Sequence, residues 1–232
     1  MKTVGIIGGL SPESTMVYYQ GICHGVRHHL GHNHSGKILL NSLDFGEFVA
    51  LKEQGDWATQ ERLLCDAART LENAGADFIV LATNTMHKMA GAIEAAVHIP
   101  FLHLADATAR RILDKDMQKV GLLGTRYTME QDFYKERLVR QGIEVIVPDM
   151  SGIDDVNRII YDELCQAVIK PESRARYVEV VSDFEAQGAQ GVVLGCTEIT
   201  TLISPSDINI TGFDTTHIHI QDTLGFMFKE TG

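Results

Sequence analysis

Two short runs hold the side chains best suited to chemistry. Cys196 closes the apolar run Gly191–Gly195 and is followed by Thr197-Glu198, while Thr83 closes the run Asp77–Ala82 and is followed by Asn84-Thr85. A thiol at a helix start is expected to favour its thiolate, the form that acts as base or nucleophile. Cys23 and Cys65 lie inside helical patterns and read as small buried hydrophobes. A threonine hydroxyl is far harder to ionise than a thiol, so Thr83 suits giving a proton better than taking one. Placed on opposite faces of one carbon, such a pair would remove a proton from one side and return it from the other. That is acid–base catalysis with inversion.

The surrounding pattern says how such a pair could be positioned. Strands are predicted near Thr3–Gly8, Lys37–Leu43, Asp77–Ala82 and Phe101–Leu104, and again near Lys119–Gly124, Glu144–Val147, Gly191–Gly195 and Asn209–Phe213. Helical patterns separate them: Trp57–Asn73, Met86–Val97, Met129–Arg140, Asp154–Ile169 and Glu172–Ala186. Alternating strands and helices predict an α/β fold with parallel sheets covered on both faces.

The chain also repeats itself. Val4–Gly9 matches Val120–Thr125 at an offset of 116, and Gly75–Thr83 matches Gly188–Cys196 at 113. Ala105–Thr108 matches Phe213–Thr216 at 108. Matches in one order with drifting offsets predict two pseudo-symmetric domains, each a four-stranded parallel sheet flanked by helices. The N-terminal domain is expected over 1–112, with a C-terminal helix over 217–232 packing back on it, and the second domain over 113–216. Position 196 then corresponds to Thr83. Ligands of parallel sheets bind outside the carboxyl ends of the strands, which puts the expected site in a crevice between the domains. Ser11 before Pro12 reads as a helix cap, and Asn84 or Thr85 as another. Free N–H groups at such ends attract carboxylates.

Composition narrows the field further. Twenty basic against 31 acidic residues give a net charge of −11, which disfavours nucleic acid and anionic membranes. No stretch approaches the roughly 20 apolar residues of a membrane span, and the N-terminal apolar run reads as a buried strand, not a leader. Four dispersed cysteines without a CxxC pair suit a reducing, cytoplasmic location. The histidines at 24, 28, 29, 32 and 34 lack accompanying thiol or carboxylate ligands, so no metal site is expected. GIIGGLS lacks dinucleotide spacing, and no lysine with a phosphate cradle marks a pyridoxal site, so no cofactor is expected. Any small anionic ligand is expected to be held by local groups against that net charge, with a homodimer left open.

Five segments carry a resemblance: GGLSPEST at Gly8–Thr15, TNTMHK at Thr83–Lys88, LLGTRYTM at Leu122–Met129, LGCTEI at Leu194–Ile199 and DTTHIH at Asp214–His219. In these segments, and in their order, the chain resembles the aspartate/glutamate racemase family. The resemblance implies a cofactor-independent, two-domain racemase of aspartate and/or glutamate. Typical members carry cysteine at both catalytic positions, and here the first is Thr83. By that resemblance Cys196 takes the α-proton of the L-enantiomer and Thr83 serves the opposite face, so the L-enantiomer is the favoured substrate. Asn84, Thr85, Thr125, Thr197 and Glu198 become candidate substrate-binding residues, with Leu10 offering backbone and Lys52 a charge for the side-chain carboxylate. Some aspartate racemases place a lysine on the helix over Tyr161–Val168. The nearest match here is Cys165, which leaves aspartate against glutamate open. Two alternatives stand beside this reading: a single-thiol decarboxylase or isomerase of the same superfamily, and an amino-acid-binding protein without turnover.

Overall fold

The computed structural model describes residues 1–229. Two compact units divide the chain: 1–103 with the segment from 219 onward, and 104–218.

In the first unit, β1 (Val4–Gly8), β2 (Ile38–Ser42), β3 (Phe78–Leu81) and β4 (Phe101–Leu102) form a parallel sheet in the order β2-β1-β3-β4. Between them run α1 (Pro12–Leu30), α2 (Phe45–Glu53), α3 (Trp57–Asn73), a 3₁₀ turn over Thr85–Met89 and α4 (Ala90–Ala96). Every residue of β1 and β3 is buried, which explains why these strands read as unbroken apolar runs without alternation. Their side chains still sort by parity. Ile7, Ile79 and Leu81 enter a core with α3, while Val4, Ile6, Phe78 and Val80 enter another with Tyr18, Ile22 and Val26 of α1.

The second unit opens on α5 (Leu104–Leu113). It continues through β5 (Lys119–Leu123), α6 (Arg126–Glu130), α7 (Asp132–Val139), β6 (Glu144–Ile146), α8 (Met150–Asp162) and a 3₁₀ turn over Leu164–Gln166. Then follow α9 (Pro171–Ala186), β7 (Gly191–Leu194), α10 (Ile199–Leu202), β8 (Thr211–Asp214) and α11 (Thr215–Phe228). Its parallel sheet runs β6-β5-β7-β8, the same winding as the first. All eight strands expected from the sequence are present, with ends within two residues of expectation.

Strand register tests the repeat. Ile7 pairs with Leu81, and adding 116 and 113 gives Leu123 and Leu194, which also pair. The third match is corrected. Val80 pairs with Leu102 and Val193 with Phe213, so the equivalent of Phe213 is Leu102 (213 − 102 = 111). Ala105, aligned with Phe213 by sequence, lies on α5 instead. The sequence comparison slid by three residues because β4 is only two residues long and carries little pattern.

That correction makes α5 and α11 counterparts, each following the last strand of its half. The packing of α5 differs from the boundary drawn at 112/113. Leu104, Ala105, Ala107, Ala109 and Ile112 of α5 share a core with Val120, Leu122, Tyr134 and Leu138, inside the second unit. Ile220, Leu224 and Met227 of α11 share a core with Val4, Ile6 and Tyr18, inside the first. Gly21 and Gly25 of α1 admit this helix closely, since a Cβ at Gly21 would lie 2.9 Å from Ile220 and one at Gly25 would collide with Leu224. Of the helix expected over 217–232, the last three residues lie outside the described ones.

Candidate active site

In each unit the polar residues gather where the two central strands leave the sheet. At the end of β1, Gly9 takes φ +86°, and any Cβ there would collide with the backbone of Leu43. The Gly9 N–H donates to Thr15 Oγ1 at 2.8 Å, and Thr15 Oγ1 donates to the Ser11 carbonyl at 2.8 Å. Ser11 caps α1 by accepting from Ser14 N at 3.3 Å, with Pro12 in the first turn, as its sequence requires. Ser14 Oγ donates to the Ala82 carbonyl at 2.9 Å and so ties the β1 exit to the β3 exit. Leu10 turns its side chain into the apolar core, which leaves only its main chain for a ligand.

Thr83 stands two residues beyond β3, half-buried, beside buried Asn84 and half-buried Thr85. The expected caps are not formed here. Asn84 has helical dihedrals and no side-chain capping bond, and the following 3₁₀ turn spans five residues. His87 of that turn is buried and donates Nδ1–H to the Thr83 carbonyl at 2.7 Å. Lys52 lies in the last turn of α2, half-buried. Burial holds its ammonium pKa below the ordinary lysine value, against an opposing pull from Glu53.

In the second unit, Thr125 follows β5 in extended conformation and is buried, with its Oγ1 3.3 Å from Thr128 Oγ1. Cys196 follows β7 by two residues and is half-buried. Its Sγ–H donates to Glu198 Oε2 at 2.8 Å, and Thr197 Oγ1 donates to the same oxygen at 2.8 Å. Cys196, Thr197 and Glu198 are therefore one hydrogen-bonded group, with Glu198 directed at its own neighbours.

The electrostatics at the thiol run opposite to expectation. Desolvation is the largest influence pushing the Cys196 pKa well above its ordinary value. The Glu198 charge and the S–H bond to it act in the same direction, while the Glu198 N–H opposes them. The helix that was to favour the thiolate is α10, a single turn of four residues, too short to outweigh a carboxylate in contact. Tyr161, four residues before exposed Cys165, is pushed up to about 12, first by burial and then by Cys196, Cys165, Tyr127 and Glu198. Sequence reasoning passed over Ser14, His87 and Tyr161. The available signal was that Ser14 and His87 lie within the segments Gly8–Thr15 and Thr83–Lys88, and Tyr161 four residues before Cys165.

Among the described residues, no group of three or more His, Cys, Asp or Glu side chains is arranged to hold a metal ion. No described helix is long and apolar enough to cross a membrane.

Comparison with known proteins agrees with this architecture. A crystal structure of a protein from Yersinia pestis, proposed as an Asp/Glu racemase, is 51% identical over 99% of this chain and 100% of that one, with a TM-score of 0.96. An aspartate racemase homologue from Pyrococcus horikoshii is 35% identical over 99% of this chain and 100% of its own, with a TM-score of 0.88. The broad specificity amino-acid racemase RacX of Bacillus subtilis is 25% identical over 210 residues, 86% of this chain and 87% of that one. The family model described as Asp/Glu/Hydantoin racemase matches residues 7–223. With nearly its whole length matched and its doubled sheets in register, the chain belongs to the Asp/Glu/hydantoin racemase family, whose members are isomerases.

Proposed function

We propose that the protein is a cofactor-independent racemase of aspartate and/or glutamate in which Cys196 and Thr83 act on one substrate from opposite faces. The observation carrying this reading is the pairing of Cys196 Sγ–H with Glu198 Oε2, two residues beyond β7, at the position that answers to Thr83 beyond β3 (83 + 113 = 196). Glu198 takes the thiol proton, and the thiolate takes the α-proton of the L-enantiomer. The electron pair left on Cα spreads into the α-carboxylate as an enediolate. Hydroxyls and N–H groups of Thr197, Thr125, Asn84 and Thr85, with the backbone at Leu10, meet that charge. Thr83 Oγ1–H then gives its proton to the other face and the D-enantiomer forms; water reprotonates the alkoxide, and the hydroxide left takes the proton held by Glu198, which returns the site to its starting state.

Transfer of the thiol proton within the Cys–Glu pair leaves the net charge of the pair unchanged. Ionisation to solvent would instead create a second negative charge within the same half-buried group. Lys52 is the proposed partner of the side-chain carboxylate. Four separate free cysteines fit a reducing cytoplasm.

Taking a proton from the D-face requires a threonine alkoxide and giving one to that face creates it, so the Thr83 step is slow in either direction, whereas exchange through Cys196 avoids it. In heavy water, the α-hydrogen of L-aspartate or L-glutamate should exchange readily, and that of the D-enantiomers slowly, when followed by NMR. Cys196→Ser should reduce exchange from the L-enantiomer by about a hundredfold or more. Full activity in Cys196→Ser, or equal fast exchange from both enantiomers, would overturn the assignment.

A further inference from the structure

We propose that His87 is the positioning residue for Thr83, a role that rests on the assignment of Thr83 as the second proton-transfer group. The strand ladder ends one residue early: the last bond of β3 to its neighbour runs from Ala82 N to Ile7 O at 2.9 Å. Beyond it, two successive carbonyls are claimed by side chains from different elements. Ser14 Oγ donates to Ala82 O at 2.9 Å, and His87 Nδ1–H donates to Thr83 O at 2.7 Å. A carbonyl only accepts, so Nδ1 must carry the proton.

Threonine is stiff about χ1, and its hydroxyl direction therefore follows its backbone. A turn of the Thr83 main chain that re-aims Oγ1 also moves its carbonyl, and the His87 bond resists that turn. The imidazole is itself confined. The ring of His103 lies 4.6 Å away, that of Phe101 5.7 Å and that of His219 6.0 Å. His219 is fixed in turn, with Nε2–H to Leu102 O at 2.9 Å and Nδ1 2.8 Å from Tyr18 OH.

The arrangement is confined to the hydroxyl's half of the repeat. Position 87 answers to position 200 (87 + 113), and Thr200 is exposed and donates to the Thr197 carbonyl at 2.9 Å. The Cys196 carbonyl takes an ordinary backbone bond from Ile199 N at 3.2 Å. A large, polarisable thiolate tolerates imperfect aim, whereas a hydroxyl giving up a proton has a narrow angular range. The buried clamp lies on the side where aim matters more.

The test uses the whole enzyme with L-aspartate and L-glutamate in heavy water and measures two quantities. Deuterium gained with retention reports Cys196 alone, while D-product reports delivery from Thr83. Their ratio isolates the Thr83 step. His87→Leu should lower D-product per exchange event by about tenfold to a hundredfold, with exchange itself within about threefold of wild type. His87→Asn, whose Nδ2–H sits where Nδ1–H sits, should restore the ratio to within about threefold, and His87→Gln, with its donor one bond further out, should not. If His87→Leu does not fold, the Asn and Gln variants decide between themselves. An unchanged ratio in His87→Leu, a parallel loss of exchange and product, or equal ratios in Asn and Gln would overturn the proposal. Thr83→Val separates the two layers. A ratio unaffected by Thr83→Val removes the underlying assignment, whereas a ratio collapsed by Thr83→Val and untouched by His87→Leu removes only the role of His87.

Discussion

At Cys196 two neighbours of the thiol pull in opposite directions, and contact decides between them. The carboxylate of Glu198 accepts the S–H at 2.8 Å, and burial and that charge together hold the proton on sulfur. Glu198→Gln removes the charge and keeps the burial. The pH at which the thiol becomes reactive toward iodoacetamide should therefore move down, while staying above the value of about 8.5 for a free cysteine. Exchange of L-substrates should nevertheless fall by about tenfold or more, because the proton acceptor is gone. A reactive pH that rises would show that Glu198 does not hold the proton on sulfur, and exchange that accelerates with the larger thiolate fraction would show that Glu198 only hinders the thiol. Residue types were legible here, since Cys196, Thr83 and their hydroxyl neighbours stand out in a bare chain. The sign of the pKa shift was not, because it depends first on burial beyond β7, then on the rotamer of Glu198 and the length of α10, none of which spacing reveals.

The elements that carry these residues are held at their ends more than along their lengths. Ser11 and Pro12 start α1 as their types dictate, and Gly9 fits a turn that no side chain could enter. Asn84 and Thr85 looked equally like caps in sequence, yet the segment after them is a 3₁₀ turn without side-chain capping. What joins the two strand exits is Ser14, a serine inside a helix that periodicity marks only as buried. Ser14→Ala leaves the Ala82 carbonyl without that donor and should lower the unfolding free energy by about 1–2 kcal/mol in urea denaturation. A variant as stable as wild type would show that the tie between the β1 and β3 exits contributes little.

Across the whole chain, the doubled α/β pattern was readable because the two central strands of each half are short, buried, apolar and punctuated by glycine. Where the halves divide was readable only in part: the return of α11 to the first half was expected, but α5 is amphipathic in a way that does not say which sheet it covers. Each belongs by contact to the unit that does not contain the strand before it. A fragment of residues 1–103 lacks the α11 residues Ile220, Leu224 and Met227 of its own core. Alone it should show no cooperative thermal transition, whereas mixing it with 104–232 should restore one, as followed by near-UV circular dichroism. A fragment that melts cooperatively by itself would contradict this. The reciprocal loan of terminal helices also bears on ancestry. Before duplication, a single copy built on this plan would have been complete only as two identical chains, each lending its tail to the other. Fusion into one polypeptide would make that partnership independent of dilution and would let the two strand exits differ, as Cys196 and Thr83 do.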